Sequence, residues 1–90
     1  MNFTIDYYQA RDIINKVLFK LDPMSTGCKE NELEDEYYEV ATRISYNWFS
    51  DSFTLYDAVK FVFYENFWED ALSNFQVMSI SNAIMKEMSK

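Results

Sequence analysis

The chain has 90 residues, enough for one core of two packed layers and too few for a second domain with a core of its own. Its net charge is −7, with 15 acidic side chains against 8 basic ones, a field that repels nucleic-acid phosphates and anionic membranes and speeds encounter with a basic partner. Histidine is absent and Gly27 is the only glycine, which excludes Ser-His, Cys-His and His-metal chemistry together with glycine-rich phosphate loops.

A hydrophobic fraction of 49% beside a charged fraction of 26% belongs to a chain that folds. One Gly and one Pro argue against strands and turns, which use both as punctuation, and for long helices joined by few loops. The expected fold is therefore all-α, a single helical domain over residues 1–90 built as a bundle of about four helices. No basic and apolar leader is visible, and no apolar run approaches the roughly 18 residues of a membrane span. The single Cys28 can form no internal disulfide, in keeping with a reducing compartment, so a cytoplasmic location is expected.

In chain order, Ala10, Ile13, Ile14, Val17, Leu18 and Leu21 recur at helical spacing and predict a first helix over Ile5–Leu21. Thr4 is placed to cap it, and Pro23 to end it, because proline disfavours helix at the preceding Asp22. The loop holds Gly27 and Cys28. A second helix is expected from about Glu32 to Phe49, with Leu33, Tyr37, Val40, Ala41, Ile44 and Trp48 inward and Glu32, Asp35, Glu36, Glu39 and Arg43 outward. Carboxylates in its first turns complement the helix dipole, each by a few tenths to about 1 kcal/mol.

Ser50, Asp51 and Ser52 interrupt the period, and Thr54 with Asp57 resembles a capping box for a third helix. Leu55, Ala58, Val59, Val62 and Phe63 form its inward stripe. Phe61, Tyr64, Phe67 and Trp68 add apolar surface on other sides, so this helix is either central or touches a partner. A last amphipathic helix is expected from about Val77 to Met88; the intervening ENFWEDALSNFQ, residues 65–76, fits a prolonged helix or a bend equally well.

Binding carries more weight here than catalysis. The carboxylates of the second helix lie on its outer side, where water keeps them ionised and equivalent, so no general acid and base pair is set apart and no enzyme is expected. Asp22–Leu33 has Asp and Gly where a calcium loop needs them, but Met24 and Leu33 stand at positions that require oxygen ligands, so no metal or other cofactor is assigned. Cys28 has neither a histidine nor a second cysteine and receives no role. The 17 aromatics exceed what so small a core encloses, and those near the acidic run read as hot-spot anchors among steering charges.

The hydrophobic residue and Asp-Pro that end the first helix, Leu21-Asp22-Pro23, followed by a short loop and the Glu34-Asp35-Glu36-Tyr37 start of the second, resemble a family of small acidic helical bacterial proteins. The likeness continues through VKFVFYENFWEDALS, although the family commonly has Trp where this chain has Leu21. Members occur as immunity proteins of toxin systems, including contact-dependent growth inhibition. The resemblance implies a non-catalytic inhibitor of a cationic toxin, a nuclease domain being the expected class. The residues expected to meet it are Glu32, Asp35, Glu36, Tyr38 and Glu39, with Trp68, Glu69 and Asp70 as a second patch; Asp22 and Pro23 shape the turn, and Tyr37 joins the core. A helical adaptor or regulator without a toxin is the competing expectation. Neither nucleic acid nor membrane is an expected ligand, and the surplus aromatics leave self-association open.

Overall fold

The computed structural model describes residues 6–27, 31, 35–50 and 53–90. Among them are four α-helices, α1 Tyr7–Leu21, α2 Tyr38–Ser50, α3 Leu55–Asn66 and α4 Asn74–Met88. The all-α bundle anticipated from the apolar periods is the architecture observed. Thr4, Ile5, Cys28, Glu30, Glu32, Leu33, Glu34, Asp51 and Ser52 lie outside the described residues.

The expected inward stripes are largely the buried ones. Leu55, Ala58, Val59, Val62 and Phe63 of α3 are all buried, as are Tyr37, Val40, Ala41, Ile44 and Trp48 at α2. In α1, Ala10, Ile14, Val17 and Leu18 are buried, Ile13 packs partly against the core, and Leu21 at the helix end is exposed. Val77, Ile80, Ile84 and Met88 complete the core from α4.

Helix boundaries differ from the periodic reading for local reasons. α1 begins at Tyr7, because Asp6 is the N-cap: its carboxylate accepts from Gln9 N–H at 2.9 Å and Gln9 Oε1 accepts from Asp6 N–H at 3.0 Å, a reciprocal capping box. α1 ends at Leu21, with Asp22 as its C-cap in the left-handed conformation (φ 43°) that Asp tolerates and that breaks the helix ahead of Pro23.

α2 begins at Tyr38, and Asp35–Tyr37 form a turn instead of the helical turn expected there. The cause is Tyr37, 1% exposed, whose hydroxyl donates to Asp22 Oδ1 at 2.7 Å and accepts from Met24 N–H at 2.9 Å. This anchor pins the chain beside the end of α1. Tyr38 N–H closes a tight turn onto Asp35 O, and the first i→i−4 bond is Ala41 N–H to Tyr37 O at 2.8 Å. Glutamate's mild helix propensity is too weak to override a buried aromatic anchor.

Each helix packs on two neighbours: α1 and α3 each lie between α2 and α4, with no close backbone approach across the diagonals. Ser45 Oγ donates to Tyr7 O at 2.8 Å at one end of the α1–α2 pair, and Tyr37 meets Asp22 at the other, so the two helices are antiparallel. Arg43 bonds Asn66 Oδ1 at 3.1 Å, which sets α2 and α3 antiparallel as well.

The α3–α4 junction departs from this pattern. Tyr56 Oη and Lys60 Nζ, both well before the end of α3, each reach Asn74 Oδ1 at 3.2 Å at the start of α4. Segment 67–73 therefore runs back along α3 before α4 begins. Ser73 then caps α4 with Gln76 in a second reciprocal box, so α4 starts at Asn74, ahead of the expected Val77. Among the described residues no helix is long and apolar enough to cross a membrane.

Candidate protein-binding face

The sequence of α3, LYDAVKFVFYEN, is apolar on more than one side, and with only two neighbouring helices its outward face stays open. Phe61 and Tyr64 are exposed on that face, and Trp68, just past the helix, is 58% exposed. These side chains are held from beneath. Buried Phe63 stacks on Phe67 (centroids 5.3 Å apart, 24° between planes), and Trp68 meets Phe67 edge-on at 6.2 Å. Phe53, at the other end of the face, meets Phe61 edge-on at 5.5 Å.

The returning segment walls this face and turns it into a groove of about 520 Å³. Phe53, Phe61, Tyr64 and Trp68 supply apolar lining, and Asp57, Glu69 and Asp70 supply carboxylates. Asp70 sits at φ 61°, a left-handed position in the turn that Trp68 O closes with Ala71 N–H at 3.1 Å. Lys60 also lines the groove, its ammonium donating to Asn74 Oδ1, and the three carboxylates outnumber this one cation. Across Phe61 lies a second groove of about 390 Å³, lined in part by Tyr46, Asn47, Arg43 and Glu65. One aromatic ring thus divides a continuous α2–α3 surface.

Of the residues expected to bind a partner, Trp68, Glu69 and Asp70 come together in the first groove. The other patch is less uniform than a carboxylate-bearing helix face. Asp35 and Glu36 are exposed in the turn before α2, Glu39 is exposed in its first turn, and Glu32 is outside the described residues. Tyr38 lies about 100° around the helix from Glu39, on the side of α1. There the Arg11 guanidinium lies 5.0 Å from its ring and 5.2 Å from that of Tyr8, while bonding Asp12 at 3.1 Å. A cation already occupies the aromatic part of this patch.

Phe61 and Tyr64 were expected only as extra apolar surface on a helix that is central or touches a partner, and Phe53 and Asp57 were not expected as binding residues. Their signal was present: positions 53, 57, 61, 64 and 68 keep the helical period on the side opposite the buried stripe. What the period could not tell is that the chain after Asn66 doubles back and builds a wall.

Near the α1–α2 junction, Asp22 is a hub rather than a free carboxylate. Partial burial pushes its pKa up, but donation from Thr26 N–H, Tyr37 Oη, Thr26 Oγ1 and Gly27 N–H outweighs that and holds it well below the usual range. Burial and donation to Asp22 push the Tyr37 phenol above its usual value. These groups serve the loop. Among the described residues no group of three or more Cys, Asp or Glu is placed to hold a metal ion.

Comparison with protein-family models, characterised proteins and solved structures gave no match to the chain.

Proposed function

We propose that the protein is an immunity protein, a non-catalytic cytoplasmic inhibitor that binds a basic toxin of a bacterial competition system, a nuclease being the favoured class. The observation that supports this most is the open α3 groove, in which Phe61, Tyr64 and Trp68 stand exposed among Asp57, Glu69 and Asp70. Exposed aromatics on a rigid helix supply the buried anchors of an interface, and surrounding carboxylates supply complementarity to a cationic surface. A nuclease must bind a polyanion and so presents such a surface. The net charge of −7 steers the encounter, and the aromatics slow dissociation.

Within this reading the α3 groove is the main contact. Asp35, Glu36 and Glu39, exposed at the start of α2, contribute mainly to steering. The test is co-purification with the product of the gene immediately upstream, followed by a nuclease assay of that product with and without this protein. A stoichiometric complex and loss of nuclease activity are expected. A complex with a product that has no toxic activity would favour an adaptor, and absence of any complex at micromolar concentration would overturn the proposal.

A further inference from the structure

Asp57, Glu69 and Asp70 line the α3 groove, and no cation among the described residues forms an ion pair with them. Lys60, in the same lining, donates to Asn74 Oδ1 at 3.2 Å. An apolar occupant would strip water from three carboxylates without replacing it, a cost that only a donor or a cation offsets. A metal ion is unsuited as well, since among the described residues no group of three or more Cys, Asp or Glu is placed to hold one. Asp57 stands one turn before Phe61 on α3, whereas Glu69 and Asp70 come from the returning segment, so the negative charge approaches the rings from two elements. The occupant that fits carries one positive charge spread over several donors, with flat faces to lay on the rings.

A guanidinium has that form. Its planar fork presents five N–H donors, its faces stack on aromatic rings, and it is more weakly hydrated than a lysine ammonium, so an aromatic lining costs it less water. The same chain holds one arginine in this way. The Arg11 guanidinium lies 5.2 Å from the Tyr8 ring and 5.0 Å from the Tyr38 ring, and its Nε and Nη2 both donate to Asp12 Oδ1 at 3.1 Å. The α3 groove brings together the same kinds of group: Phe61, Tyr64 and Trp68 with Asp57, Glu69 and Asp70. Arg43, the other arginine of the chain, bonds Asn66 and lines the second groove. At about 520 Å³ the α3 groove exceeds the roughly 300 Å³ at which pockets begin to take small ligands.

We infer, on the reading of this face as the contact with a basic protein, that the α3 groove receives one arginine side chain of the partner, its guanidinium against the Tyr64 and Trp68 rings and its N–H groups donated to Glu69 and Asp70. Asp57 adds attraction from the other side of Phe61.

The probe is N-acetyl-arginine amide, titrated into the isotope-labelled full chain while the Trp68 indole N–H is followed by NMR. A saturable shift is expected, with a dissociation constant of about 1–10 mM. The lysine amide should bind at least about threefold more weakly, and the citrulline amide, which keeps the shape without the charge, should leave Trp68 unshifted. The double variant Glu69→Gln, Asp70→Asn should abolish saturation with the fold intact, since Asn tolerates the left-handed position of residue 70. An unshifted Trp68 with the arginine amide, equal binding of the lysine or citrulline amide, or shifts at Asp35 and Glu36 as large as at Trp68 would each overturn the inference. If the titration fails while the upstream gene product still forms its complex, the arginine site falls and the immunity reading stands. If the titration succeeds and no such complex forms, the immunity reading falls and the groove keeps its arginine preference.

Discussion

Asp22 and Tyr37 decide more of this structure than their positions in a loop and a turn suggest. The Asp22 carboxylate accepts from two backbone N–H groups and two hydroxyls, and the Tyr37 hydroxyl both donates to it and accepts from Met24 N–H. Tyr37→Phe leaves a carboxylate and an N–H short of one partner each, and should cost about 1–2 kcal/mol, read as a lower urea midpoint with the slope unchanged. The pH dependence follows from the direction of the shifts. Asp22 is lowered from an ordinary value of 3.8, so its contribution is present above that pH and is lost as the pH falls below it. Tyr37 is raised from 10.0, so its contribution is present below that pH and is lost as the pH climbs above it. Asp22→Asn should flatten the acid limb of the stability profile measured by denaturant titration at a series of pH values; an acid limb equal to that of the wild type would assign the loss to other carboxylates.

At the level of elements, α4 shows how side-chain capping sets a boundary that periodicity misses. Ser73 and Gln76 satisfy each other's backbone N–H groups, and Ser73→Ala should destabilise the protein by about 1 kcal/mol, a drop in melting temperature of a few degrees by calorimetry. The buried stripes of α3 and α4 and the Thr54 cap of α3 were legible in the sequence, because apolar period and local capping are local signals. Asp6 and Gln9 hold the same kind of signal two residues after Thr4, and the reciprocal bonds between them mark Asp6 as the cap. The start of α2 was not legible, since it depends on a hydrogen bond between residues 22 and 37. The groove was half legible: Trp68, Glu69 and Asp70 stood out by composition, but their union with Phe61 and Tyr64 depends on a segment whose path is set by Asn74 meeting Tyr56 and Lys60.

For the whole molecule, charge is distributed with a purpose that a count of −7 conceals. Carboxylates flank the α3 groove and the start of α2, while α4 carries one lysine, Lys86, and one glutamate, Glu87. Replacing Asp35, Glu36 and Glu39 by Lys brings the net charge close to neutrality, and should slow association with a basic partner about tenfold or more at low salt while leaving dissociation nearly unchanged. Stopped-flow association at several ionic strengths reads this directly; an unchanged rate would move the steering charges elsewhere.

The central claim is that the aromatic groove on α3 binds a basic protein partner, and calorimetric titration of the upstream gene product with wild type and with Tyr64→Ala, Trp68→Ala tests it most directly. Both side chains are exposed, so helicity should be unaffected. The account predicts an affinity loss of about 100-fold or more, as expected when two hot-spot aromatics are removed; an affinity within about twofold of wild type would contradict it.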